Sequence, residues 1–201
     1  MIAMDPLTDY TLYADAQRHY SKEALWALFD GDRERLNIGH ECVDRHDRNA
    51  VAVRIAHESG RDETISFGAL SDASNRFANY LLNKGLAKGD RVAIMLEPSL
   101  PFYVALFGAM KAGCVAVPLF TLFGSDGLRL RIDDCTPKLL VTNADLAHLA
   151  ENIETVIADD AFLAALDAES ADFTPETASS DMAMYQYTSG STRELPEAVK
   201  H

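Results

Sequence analysis

The sequence predicts an α/β fold, a parallel-rich sheet flanked by helices. Three observations carry the prediction. First, the short apolar runs Arg91–Leu96, Cys114–Val117 and Lys138–Thr142 are continuous rather than alternating, which is how strands buried on both faces read. Second, helical segments at 68–84, 98–112 and 126–134 separate them, with apolar residues recurring at helical spacing. Third, the two kinds of segment alternate along the chain, as strands joined by helical crossovers do, and such crossovers are right-handed. At 201 residues and 48% hydrophobic the chain suits one domain or two small ones. A chain of this size buries about 70% of its unfolded surface.

In chain order, residues 1–20 are polar and aromatic without firm periodicity, and 1–36 are expected to form an N-terminal extension. Ser21 to Phe29 reads as a short helix with Ser21 as N-cap and Trp26 as a packing anchor. A charged loop, Gly31 to Leu36, follows. Asn37 to His46 fits a helix capped by Asn37, with Ile38, Cys42 and Val43 on one face. His40 and His46 are not four residues apart and no carboxylate pair completes a ligand set, so no metal site is expected. Val51, Val53 and Ile55 alternate as a strand, Glu58 to Asp62 turns, and Glu63 to Phe67 returns. Gly68 to Lys84 is the clearest helix. Leu70, Ala73, Phe77, Ala78, Leu81 and Leu82 form its apolar stripe, and Gly85 ends it. After the strand from Arg91, prolines at 98 and 101 suit a helix start. Asn143 is expected to begin a helix through Leu146, Leu149 and Ala150, and Thr155–Ala158 is a weaker fourth strand. A small helix at 161–166 leads into an Ala-, Ser- and Asp-rich linker around Pro175.

Composition excludes several classes. Net charge is −13, and ten acidic residues fall between Asp145 and Asp181, where there is no Lys or Arg. Such a field opposes nucleic acid and anionic membrane as partners. Met1 to Pro6 lacks the basic and apolar regions of a secretory signal. The longest apolar run, 101–123, is broken by Lys111, two glycines and Pro118, so no membrane span is expected. Three cysteines, Cys42, Cys114 and Cys135, suggest reduced, buried thiols and a cytoplasmic protein.

The candidate site lies near the end of the chain. Met182 to Tyr187 reads as a strand, and Thr188-Ser189-Gly190-Ser191-Thr192 then sets four hydroxyls around one glycine. A polyphosphate site needs backbone N–H groups aimed at its oxygens, and Gly190 can take the dihedrals that allow it. The plainer alternative is a Ser/Thr turn between two strands. Neither Gly-Lys-Ser/Thr nor Gly-x-Gly occurs, which removes the common NTPase loop and the dinucleotide fingerprint.

Tyr187 to Thr192, with Leu195-Pro196, Val199 and His201, resembles the phosphate-binding signature of the AMP-forming acyl-CoA synthetases, within the adenylate-forming (AMP-binding) superfamily. Segments 64–81, 88–99, 107–119 and Cys42-Val-Asp-Arg-His46 resemble further stretches of that family in its order. The loop departs from the family pattern. Arg193-Glu194 stands for a glycine, which lengthens the loop, and Glu197 and Ala198 stand where Lys and Gly are usual; Arg193 then supplies the charge. The resemblance implies the fold of the N-terminal subdomain of acyl-CoA synthetases over 37–201. It implies ATP and Mg2+ as cofactors, CoA and a carboxylic acid as co-substrates, and binding through Thr188, Ser189, Gly190, Ser191, Thr192 and Arg193. It further implies that the family's catalytic residues lie beyond His201, so that this chain is a truncated domain, inactive alone and prone to self-association. Two alternatives remain open. One is a non-catalytic domain that keeps the fold, or an aryl- or amino-acid-adenylating module; the other is an unrelated doubly wound domain binding a different phosphate.

Overall fold

The computed structural model describes residues 6–57, 59–150, 152–187 and 198–201. Its centre is a four-stranded parallel sheet built from β3 (Arg91–Met95), β4 (Val115–Pro118), β5 (Leu139–Thr142) and β6 (Glu154–Ile157), in the order β4-β3-β5-β6. The pleat sends successive side chains to opposite faces. Val92, Ile94, Leu139 and Val141 join one buried cluster, whereas Ala93, Met95 and Leu140 join another. Both faces are therefore dry, which is why β3 and β5 read as unbroken apolar runs. The edge strand β6 is half exposed, matching its weaker sequence signal.

The first face carries α3 (Phe67–Asn83), α4 (Leu100–Lys111) and α6 (Asp160–Leu166), and the second carries α5 (Ser125–Cys135). Side-chain caps start the three helices of the first face. Ser66, Ser99 and Asp159 accept from the backbone N–H of Ala69, Phe102 and Phe162. The α3 and α4 axes approach closely at Gly108, where a Cβ would lie 2.7 Å from Phe77 Cδ1 and 2.8 Å from Ser74 O. Ahead of the sheet, β1 (Val51–Ala56) and β2 (Asp62–Ser66) form an antiparallel hairpin.

Several expectations need correction. Residues 37–46 tighten into one α-turn followed by a wider π-turn at His40–Asp44. The i→i+5 step shifts the face, so only Val43 is buried, while Ile38 and Cys42 are exposed. Leu82 falls outside the α3 stripe and is exposed. The expected helix from Asn143 is a single 3-10 turn, Ala147–Leu149. Asn143 Oδ1 does accept from Leu146 N at 2.9 Å, but the backbone turns extended at Ala150 and left-handed at Asn152. Residues 7–20, which show no periodicity, do hold a 3-10 turn at Leu7–Asp9 and a helix α1 (Tyr13–His19) that buries no residue. The Ser21-capped helix α2 spans only Lys22–Trp26.

Two polar networks organise the scaffold. The fully buried Lys111 donates to Asp44 (2.5 Å), Ser74 Oγ (2.9 Å) and Asn75 Oδ1 (2.8 Å), joining the π-turn, α3 and α4. Asn75, Asn79 and Asn83 lie one turn apart on α3 and hold the segment 169–172. Their amides donate to Ala171 O, to Ser170 O and Asp172 O, and to the Glu169 carboxylate. Arg76 adds bonds to Asp167 O and Glu169 O at the end of α6. The segment that reads as a linker is thus laid along α3.

Candidate functional site

The sequence-derived site residues Thr188, Ser189, Gly190, Ser191, Thr192 and Arg193, with Glu194 to Glu197, lie outside the described residues. The described structure gives the base on which they stand. β7 (Tyr185–Tyr187) and β8 (Ala198–Lys200) pair antiparallel, with Tyr187 opposite Ala198. The two strands expected to flank the loop are present and paired.

This base is fixed to the sheet. Ala116 N donates to Ala183 O at 2.9 Å, and Ala116 bridges Met184 in parallel, so the chain leading into β7 extends the sheet at the free edge of β4. Its other side packs on the second face, where Tyr185 and Tyr187 join the cluster beneath α5. The Tyr187 hydroxyl donates to Asp134 Oδ2 at 2.5 Å and to Arg131 O at 3.2 Å. Burial, then the Asp134 carboxylate, push the phenol's pKa up, so Tyr187 is a neutral donor.

α5 is anchored in turn. Arg91, at the start of β3, donates from Nε to Cys135 O (2.6 Å) and from Nη2 to Thr136 O (2.8 Å) and Thr136 Oγ1 (2.7 Å). These bonds satisfy carbonyls left free at the helix end and hold Thr136 at φ +42°, a conformation rare for a β-branched residue. A chain of contacts thus runs from β3 through the end of α5 to Tyr187, the last described residue before the loop. None of it is legible as a motif: Arg91, the α5 turn with Arg131 and Asp134, and Tyr187 are far apart in sequence, and only the fold brings them together. Lys200, on β8, places its ammonium 5.1 Å from the Tyr185 ring centroid.

The sheet order reverses at β3, since β4 lies on one side of it and β5 on the other. Ligands of doubly wound sheets bind beyond the strand carboxyl ends at such a reversal. There Met95 pairs with Thr142, whose hydroxyl donates to Met95 O at 2.9 Å. The thiolate form is disfavoured at all three cysteines. Burial pushes Cys114 up to about 12 and Cys135 up to about 11, and burial and Glu41 raise Cys42. Among the described residues no group of three His, Cys, Asp or Glu side chains can hold a metal ion. No described helix is long and apolar enough to cross a membrane.

Comparison with known proteins agrees with this geometry. The profile of the family described as AMP-binding enzyme matches residues 40–193. The acetyl-coenzyme A synthetase of Bacillus subtilis strain 168 is 32% identical over 139 residues, which is 67% of this chain and 24% of that protein. The crystal structure of Brucella canis acyl-CoA synthetase superposes with a TM-score of 0.83 at 30% identity, over 94% of this chain and 37% of that one. ATP-bound MatB from Rhodopseudomonas palustris gives a TM-score of 0.67 at 28% identity, over 82% of this chain and 34% of that one. The chain therefore spans about a quarter to two-fifths of the length of these relatives. The profile match takes in the π-turn, both sheet faces and the candidate loop together: the chain belongs to the AMP-binding enzyme family.

Proposed function

We propose that this chain forms part of an AMP-forming carboxylate–CoA ligase and carries its phosphate-binding loop. The observation that supports the reading is the family match over residues 40–193, which includes a hydroxyl-rich loop whose flanks form an antiparallel base locked to β4 and α5. In the proposed reaction a carboxylate oxygen attacks the α-phosphorus of ATP and the bond to pyrophosphate breaks, leaving an acyl-adenylate. The CoA thiol then attacks the acyl carbon and AMP leaves. The first step brings an anion to a polyanion, so donors aimed at the leaving pyrophosphate lower the barrier. Thr188, Ser189, Ser191 and Thr192 supply hydroxyl and backbone donors, Gly190 the close approach, and Arg193 the charge. No general base is required, because the attacking carboxylate is already ionised. Mg2+, implied by the resemblance, would neutralise part of the polyphosphate charge; among the described residues no group of three His, Cys, Asp or Glu side chains gathers to hold it. In this reading 37–201 is the adenylate-forming part and 1–36 an extension; in support of an attachment between them, Leu36 N donates to Thr177 O and Ser179 N to Arg33 O.

The test is acid-dependent ATP–pyrophosphate exchange by the full-length enzyme, with short, medium and aromatic acids. Gly190→Val should abolish exchange while the fold persists. Thr192→Ala should slow it by about 10–1000-fold, the range for loss of one oxyanion donor. Near-normal exchange in Gly190→Val would reduce Gly190 to a turn residue and defeat the reading.

A further inference from the structure

We propose that the groove between α5 and the crossover from β5 to β6 is a docking site for an amphipathic helix of a protein partner, one with an apolar stripe and Lys or Arg along its edges. The inference does not depend on the functional reading above. It starts from a missing helix. The crossovers from β3 to β4 and from β4 to β5 carry α4 and α5, but β5 ends at Thr142 and β6 begins at Glu154. Residues 143–153 fall short of the dozen or so and more that a parallel crossover with a helix takes, and they form only the 3-10 turn Ala147–Leu149. Among the described residues α5 is therefore the one α-helix on the second face. Beside it lies a cleft of about 870 Å³.

The cleft has the build of a helix groove. Ile132 on α5 and Leu149, Ala150 and Ile153 on the crossover line it, each half-buried, with apolar surface covered on the sheet side and open on the other. α5 spans 11 residues, about 16 Å, and gives a partner helix three turns to lie against. Side chains at every third or fourth position of such a helix enter the groove together. The rim selects its charge. Asp126 and Asp133 stand there with Arg129 and His148, and Arg129 lies 4.0 Å from the Asp126 carboxylate. The second wall belongs to the stretch 145–181, which holds ten acidic residues and no Lys or Arg, in a chain of net charge −13. A field of that sign attracts a basic edge and disfavours a second copy of the chain at this groove.

The test uses the 201-residue chain and two synthetic Leu/Lys peptides of one composition, about four turns long, one with its leucines at helical spacing and one shuffled. Binding is followed by fluorescence anisotropy and the footprint by backbone hydrogen exchange. The striped peptide should bind and slow exchange in α5 and in the crossover that faces it, with α1 and β1 unchanged. The shuffled peptide should bind about tenfold more weakly or worse. Asp126→Lys/Asp133→Lys changes two exposed residues and leaves the core intact, and it should weaken the striped peptide about tenfold. Absence of binding, equal binding of the two peptides, full affinity in the double variant, or protection away from the groove would each overturn the proposal. So would slowing of the same amides as the chain alone is concentrated, which gives the groove to a second copy. Amides already slow there in the full-length enzyme, before peptide is added, would give it to the enzyme's own chain and overturn the proposal too.

Discussion

Lys111 shows how one residue can carry family resemblance without touching the site. Its ammonium is fully buried, and it joins Cys42-Val-Asp-Arg-His46 to the Lys-Ala-Gly segment through Asp44. Burial pulls the Lys111 pKa down, and the Asp44 hydrogen bond and charge oppose that only in part. Removing one partner leaves the other without compensation. Asp44→Ala should therefore destabilise the chain by about 3 kcal/mol or more, read from urea unfolding, while the double variant Asp44→Leu/Lys111→Met should recover most of the loss. A cost for the double variant equal to the sum of the two single costs would show that the pair is not coupled. Asp90 offers a test in pH. Burial raises its carboxyl, but Lys138, the Ala87 N–H and Arg91 together bring it below the usual value. A depressed folded pKa stabilises above the unfolded value of about 3.9, and that stability is lost as pH falls through the lower folded value. Asp90→Asn should flatten the acid limb of stability below about pH 4, with little change in slope near neutrality.

At the scale of elements, α3 does two jobs with two faces. Its apolar stripe packs on α4 and the sheet, and its row of asparagines takes up the backbone of 169–172. Without those bonds the segment's carbonyls would need water, and the route from α6 to β7 would not be set. Asn79→Ala removes two bonds at the exposed end of the row, to Ser170 O and Asp172 O. The expected cost is about 1 kcal/mol, with faster amide exchange confined to 169–173. Global loosening of α3 would show instead that Asn79 acts within the helix.

For the molecule as a whole, scaffold outweighs chemistry among the described residues. The described residues position the base of one loop, and the chain spans 24% of the Bacillus subtilis relative and 37% of the Brucella canis one. Phosphate donors alone do not align a carboxylate with the α-phosphorus, and orientation accounts for about 7–11 kcal/mol of such barriers. The 201-residue chain by itself should therefore show no acid-dependent ATP–pyrophosphate exchange above a Gly190→Val control, and measurable exchange would refute this account. Phe120 and Leu122 are exposed beyond the end of β4 and the β6 edge is half exposed, so self-association is the predicted outcome. It should appear as a concentration-dependent mass in light scattering that Leu122→Asp reduces.

The sequence by itself determined the class of fold, the buried strands and the long helices, because strands buried on both faces and helices with one apolar stripe leave their periods in the order of residues. It also marked the hydroxyl-rich loop and its flanking strands, since Gly190 and its neighbours are local in the chain. It misjudged 37–46 and 143–150, where a π-turn and a left-handed Asn152 break the helical period without any change in composition. Only the tertiary structure decided what holds the loop's base. Arg131 and Asp134 meet Tyr187, and Arg91 holds the end of the helix that carries them, because β3, α5 and β7 come together in the fold. Hydrogen bonds between residues so distant in the chain obey no sequence period; they follow from the closing of the layers.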